Sequence, residues 1–207
     1  MYSKISVNCP TDFDPYDGLI IRCDAVITSE IEKGDYDIEE SDIANMSFYQ
    51  VDYEGILEGG ERDAFQTFDA ISHQLMEIWE IFYKNGHLPI ALRKSPWSTS
   101  HNMLHLDKLK VERNFRHKGI GKVLIDRVIR SCRGWNIFVV KPYPLQICEH
   151  SDEKEYGDLP NNEKVALRKL REYYESIGFT RYGKTEYYYL FINKYIFENP
   201  VPIGIEE

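Results

Sequence analysis

No apolar run in the chain approaches the roughly 20 residues that a membrane-spanning helix needs, so a helical membrane protein is excluded. The first ten residues hold no basic stretch leading into an apolar one, and no secretory signal is expected there. Cysteine is scarce. Cys9, Cys23, Cys132 and Cys148 are the only four, and no pair has the C-x-x-C spacing of a zinc or redox motif. They read as small hydrophobes in a reducing compartment, with no metal, and the expected location is the cytoplasm. Internal repeats and low-complexity linkers are missing too, which excludes a solenoid. Positive charge is in deficit: 25 Lys and Arg stand against 34 Asp and Glu, a net charge of −9. Such a surface repels phosphates, so nucleic acid is not an expected partner, whereas a cationic small molecule or peptide is compatible.

What the chain does have is a folded protein's composition, with 43% hydrophobic and 14% aromatic residues in a length suited to one large domain. Residues 19–28 and 44–53 read as strands rich in β-branched and aromatic residues, separated by an acidic loop at 30–40. Residues 63–83 read as one long amphipathic helix, with Phe68, Ile71, Leu75, Ile78, Trp79 and Phe82 on one face and Asn85-Gly86 as its stop. Prolines and a Ser/Thr cluster make 88–103 a loop.

The second half alternates more regularly. A strand at 104–111 leads to a helix at 120–132, whose inner stripe is Val123, Leu124, Val128, Ile129 and Cys132, ended by Gly134. A short buried strand at 136–140 precedes an irregular, acidic loop at 141–160. Asn161 or Asn162 caps a helix at 163–177, which turns Leu167, Leu170, Tyr174 and Ile177 inward and stops at Gly178. A hairpin around Gly183-Lys184 closes the series with strands at 179–182 and 186–193. The class is α/β, with a mixed sheet because the closing hairpin cannot be parallel.

Chemistry concentrates where the strand 104–111 runs into the helix 120–132, at Arg116-His117-Lys118-Gly119-Ile120-Gly121-Lys122. The first amides of a helix lack intrahelical partners and sit at the positive end of its dipole, which makes an anion site. Gly119 and Gly121 allow close backbone approach, and Arg116, Lys118 and Lys122 add positive charge. A Walker loop is excluded, since Arg116 stands at its first glycine and Val123 at its hydroxyl residue. A dinucleotide fingerprint is excluded by Leu124 at its third glycine.

The stretch resembles motif A of the GNAT superfamily of acetyl-CoA-dependent N-acetyltransferases: Arg or Gln, two residues, Gly, one residue, then Gly or Ala. Arg116, Gly119 and Gly121 fit it. Tyr173-Tyr174-Glu175-Ser176-Ile177-Gly178-Phe179 is similar to the family's late-helix pattern of an aromatic, Tyr, three residues, Gly and Phe. With the closing hairpin, the resemblance covers about residues 104–193. It implies one domain over 1–207, with a divergent N-terminal half at 1–100, a CoA-binding core at 101–193 and a tail at 194–207.

That resemblance implies a central twisted mixed sheet flanked by helices and splayed between the strands before and after the motif A helix. Acetyl-CoA would be the cosubstrate, its pantetheine arm beside Leu109, Lys110 and Val111. Its pyrophosphate would rest on Arg116, His117, Lys118, Gly119, Ile120, Gly121 and Lys122. An amine acceptor, a cationic small molecule or peptide, would attack the thioester directly. Tyr174 would protonate the departing thiolate, a phenol of pKa about 10 serving a thiol of about 8.5. His105 or Asp107 would take the proton of the acceptor's ammonium. Both share parity with Leu109 and Val111 and would face the same side unless a bulge intervenes. His117 reads as solvent-facing, and the acidic run Glu149, Asp152, Glu153, Glu155 and Asp158 would lie near the acceptor mouth. The apolar tail, with Phe197 and Val201, suggests a possible homodimer. The chain departs from the family in carrying Leu167 where many members have Asn, in a longer 141–160 loop, and in placing its first helix after two strands. A non-catalytic acyl-CoA-binding module is the alternative reading.

Overall fold

A computed structural model describes residues 3–9, 20–32, 38–58, 61–147 and 156–200. Its framework is a seven-stranded sheet whose spatial order nearly follows the chain. Strand β1 (Ser3–Asn8), too short and polar to stand out in the sequence, pairs antiparallel with β2 (Ile20–Glu32). Strand β3 (Ile38–Val51) returns along β2, and its alternation sets Ala44, Met46 and Phe48 opposite Ile27, Ala25 and Cys23 on one buried face. The pairing reaches into the acidic stretch expected to be loop, because cross-strand bonding continues there whatever the side chains.

The helix expected over 63–83 is broken. Helices α1 (Tyr53–Glu58), α2 (Glu61–Ile71) and α3 (His73–Ile78) are separate, and a π-turn over Trp79–Tyr83 follows. The break falls at Ser72, whose backbone is extended and whose hydroxyl accepts the Leu75 N–H at 3.2 Å, capping α3. Periodicity survived the break because Phe68, Leu75, Ile78 and Phe82 still meet in one core, while Ile71, beside the break, is exposed. The π-turn adds a residue to one turn, so Phe82 and Tyr83 are both buried. A single turn, α4 (Ile90–Arg93), interrupts the expected loop.

Strand β4 (Met103–Val111) leads to α5 (Ile120–Ser131), and β5 (Ile137–Val140) lies parallel to β4, the one parallel pair in the sheet. On α5 the inner stripe includes Ile125, and Val123 is turned to solvent. Helix α6 (Glu163–Ile177) is capped by Asn162, whose side-chain oxygen accepts the Val165 N–H at 3.1 Å, and ends at Gly178 with φ of 116°. Strands β6 (Thr180–Arg181) and β7 (Tyr188–Phe191) form the closing hairpin. The chain then winds directly into α7 (Ile192–Glu198), where the sequence had suggested strand to residue 193.

The sheet separates two cores. On one face α5, α6 and α7 cover Met46, Phe48, Leu104, Leu106 and Phe138. On the other, α1, α2 and α3 cover Tyr49, Met103, Ile137 and Val139.

Candidate functional site: a cleft between diverging strands

Strands β4 and β5 pair only from Met103 with Ile137 to Leu106 with Val140. Beyond that, β4 runs on to Val111 without a strand partner on this side among the described residues. The divergence leaves a cleft of about 380 Å³, lined on β4 by Asp107, Leu109, Lys110 and Val111, and elsewhere by Arg116, Lys141 and Tyr174.

A β-bulge shapes its wall. Ser47 lies opposite Lys108 and Phe48 opposite Leu106, so Asp107 has no counterpart on β3. The extra residue resets the alternation. Leu104 and Leu106 before it, and Leu109 and Val111 after it, all face the α5 side. Asp107 lines the cleft, accepts the Ser47 hydroxyl at 3.1 Å and pairs with Arg22 at 3.7 Å. His105 goes the other way, which corrects the expectation that it would share a face with Leu109. It is 1% exposed, lies parallel to the Tyr49 ring at 6.2 Å, and does not line the cleft. Burial holds its pKa down at about 3, and neither ring nitrogen has a hydrogen-bond partner among the described residues.

At the far end of β4 the chain makes a short 3-10 turn over Arg113–Phe115 and enters α5 through Gly119. The two glycines serve different needs. Gly119 has φ of 78° and open space around its Cβ position, so its requirement is conformational. A Cβ on Gly121 would lie 2.6 Å from the Tyr173 hydroxyl, so here the requirement is room for α6. No side chain caps α5, and its first amide bond runs from Val123 N–H to the Gly119 carbonyl at 3.1 Å. The N–H groups of Ile120, Gly121 and Lys122 precede that bond. His117, Lys118 and Lys122 are exposed around the turn.

Arg116 is the most constrained group here. Its side chain is 8% exposed; Nε donates to the Val111 carbonyl at 2.9 Å, and Nη1 to Asp158 at 2.5 Å. The Tyr156 ring lies 5.3 Å from its guanidinium carbon. Its Nη2, also buried, has no hydrogen-bond partner among the described residues, and the side chain lines the cleft. Asp158, expected near the acceptor mouth, instead clamps this turn through Arg116 and Arg113. Glu149, Asp152, Glu153 and Glu155 lie outside the described residues.

Across the cleft, α6 contributes Tyr174, which is 6% exposed and meets the rings of Tyr173 and Phe179 edge-on. Burial, and then the neighbouring Tyr173, push its hydroxyl above the ordinary phenol range.

A splayed parallel pair, a bulged first strand and an Arg-x-x-Gly-x-Gly turn opening the helix between them now stand together, with a Tyr-bearing helix and a closing hairpin behind. This is the arrangement that the resemblance to the GNAT superfamily implies.

No family model matches the chain, and no curated protein matches it. Among solved structures it is similar to KacTA in a complex with DNA, at 11% identity and a TM-score of 0.42, covering 93% of this chain and 96% of that one. It is also similar to a tyrosine-to-phenylalanine mutant of KacT, at 11% identity and 0.45, covering 94% and 99%. AtaTR bound with AcCoA is a third, at 9% identity and 0.41, covering 94% and 97%.

Beside the KacTA complex with DNA, the expected partners are corrected: neither the exclusion of nucleic acid nor the restriction to a small-molecule or peptide acceptor stands. Net charge averages a whole surface and does not describe the patch that a partner meets. The homodimer expectation rested on a tail whose residues 201–207 lie outside the described residues. Among the described residues, no helix is long and apolar enough to cross a membrane, and no His, Cys, Asp or Glu group could hold a metal ion.

One feature of this cleft left no mark in the sequence. Lys141, just past β5, lines it and donates to Glu77 of α3 at 2.7 Å; the Tyr187 hydroxyl donates to the same oxygen at 2.8 Å. Burial would raise the Glu77 carboxyl, but the bonds from Lys141 and Tyr187 outweigh it and hold the pKa below the ordinary value. The three residues come from distant segments, so no local spacing could announce them.

Proposed function

We propose that the chain is an acetyl-CoA-dependent acetyltransferase that acts on an amine by direct attack in a ternary complex. The observation that carries this is Arg116, a buried guanidinium with one nitrogen unpaired at the edge of the cleft. An unpaired buried cationic donor costs free energy unless a ligand acceptor meets it, and a phosphate oxygen is the acceptor best suited to it. The amides of Ile120, Gly121 and Lys122 and the side chains of Lys118 and Lys122 complete an anion site at the helix start, with His117 and Gly119 as its turn. Next to it, the open edge of β4 at Leu109, Lys110 and Val111 offers backbone groups to an extended amide-bearing arm, as a neighbouring strand would.

In the reaction, the amine nitrogen attacks the thioester carbonyl carbon, and the carbon–sulfur bond breaks as the carbonyl re-forms. Asp107 receives the proton that the incoming ammonium must lose, directly or through water. Tyr174 gives its hydroxyl proton to the departing thiolate and regains one, through water, from the nitrogen as it becomes an amide; its raised pKa keeps the hydroxyl protonated at any working pH. His105 is given no part, because it does not line the cleft.

The test pairs calorimetry of acetyl-CoA binding with detection of the released CoA thiol, on wild type and Arg116→Met, with melting as the check on folding. The wild type should bind, and the variant should bind at least tenfold more weakly, the size expected for a charged hydrogen bond. Equal affinities, or no binding by the wild type, would remove the assignment. Binding with no thiol release across protein, RNA and small-molecule amines would leave a binding module in its place.

A further inference from the structure

Three of the four cysteines, scattered in the sequence, converge beneath α5, away from the cleft. The β1–β2 register sets Val7 opposite Ala25 and ends with Asn8 opposite Asp24; Cys9 follows β1 directly, and the same count carried one step further sets it opposite Cys23. Both side chains belong to the α5-side core, as does Cys132 at the C-cap of α5. The Gln50 side-chain nitrogen donates to Cys9 Sγ at 3.4 Å and to Cys132 Sγ at 3.5 Å. All three are thiols in this structure.

We propose that Cys9 and Cys23 form a reversible disulfide across β1 and β2 when the protein meets a small-molecule disulfide, making this edge of the sheet a thiol-modification site. A directly opposite antiparallel pair has a Cα separation of about 4.5–5.5 Å, inside the range of about 4.4–6.8 Å that a disulfide accepts, so continuing the β1–β2 register by one residue brings the two thiols within bonding range. Cys9 is the point of entry, being half-buried where Cys23 and Cys132 are fully buried. With oxidised glutathione, the Cys9 thiolate attacks one sulfur, forming a mixed disulfide and releasing one reduced glutathione. Cys23 then loses its proton to water and attacks Cys9 Sγ, releasing the second. Two protein thiols are oxidised and one glutathione disulfide is reduced. Burial raises the Cys23 thiol above its ordinary value, so the second step is the slower one and quickens as pH rises.

The experiment incubates the full chain with oxidised glutathione, blocks remaining thiols by alkylation and maps unreduced peptides by mass spectrometry. The expected result is a linked Cys9–Cys23 peptide pair, the loss of two alkylatable thiols per chain, and full reversal by dithiothreitol. Cys132→Ala should keep the link, and Cys23→Ala should hold a glutathione on Cys9. A link from Cys9 to Cys132 or to Cys148 overturns the proposal. So does a stable glutathione adduct on wild-type Cys9, or no loss of thiols. If Cys23→Ala does not fold, the wild-type map decides by itself.

Discussion

Tyr173 and Tyr174 are adjacent on α6 but meet different surroundings. The Tyr173 hydroxyl is buried against Gly121 with no hydrogen-bond partner among the described residues, whereas the Tyr174 side chain reaches the cleft. Among the described residues nothing hydrogen-bonds the Tyr174 hydroxyl, so Tyr174→Phe should leave the melting temperature close to wild type. Turnover should fall by about 10²- to 10⁴-fold, the usual effect of losing a general acid. With Tyr174 as the proposed acid, the protonated phenol would be the active form, and because its pKa is raised the alkaline loss of rate should begin above pH ~10. Paired melting and turnover on the two proteins checks this; turnover within threefold of wild type would make Tyr174 a core aromatic. At this scale much was legible: Arg116, Gly119 and Tyr174 announce themselves by spacing. The division between His105 and Asp107 was not legible, because one bulged residue reverses strand parity and no local pattern marks a bulge.

Elements were legible where each buried one continuous face. Helices α5 and α6 and strand β4 fell close to their expected bounds, since periodicity, cap and stop agreed. The helix expected at 63–83 failed for the same physical reason in reverse. A break at Ser72 keeps the apolar spacing nearly in phase, so the pattern looks unbroken although the backbone is not. The fit between α5 and α6 yields a second prediction. Gly121→Ala should cost about 1–3 kcal/mol, because the new methyl meets the Tyr173 hydroxyl. Tyr173→Phe removes the oxygen it meets, and that oxygen is an unpartnered buried group, so alone it should be neutral or slightly stabilising. The double variant should recover at least half of the Gly121→Ala loss in urea denaturation. Simple additivity of the two changes would show that the clash lies elsewhere.

The whole molecule is a sheet between two cores, and His105 lies in the one remote from α5 and α6, stacked on Tyr49. Its folded pKa of about 3 lies below the unfolded value of about 6.5. Between these values the unfolded chain binds a proton that the folded one refuses. The stability from keeping this ring neutral is therefore complete above pH ~6.5 and is lost as pH falls toward 3, by up to about 1.4 kcal/mol per pH unit. Urea midpoints at pH 7 and pH 5 should differ, and His105→Phe should narrow that difference. An unchanged difference would mean that carboxylates alone govern acid stability.

Asp107 has a last consequence, for how β4 tolerates changes of length. Shortening a regular strand by one residue exchanges its inner and outer faces from that point on. Asp107 is the exception, since it stands outside the ladder with β3. A β4 lacking Asp107 alone would alternate regularly from Met103 to Val111, with Leu104, Leu106, Leu109 and Val111 still inward. The bulge is thus what a one-residue insertion into an ordinary strand leaves behind: the core keeps its frame, and the inserted residue is left at liberty to take up chemistry.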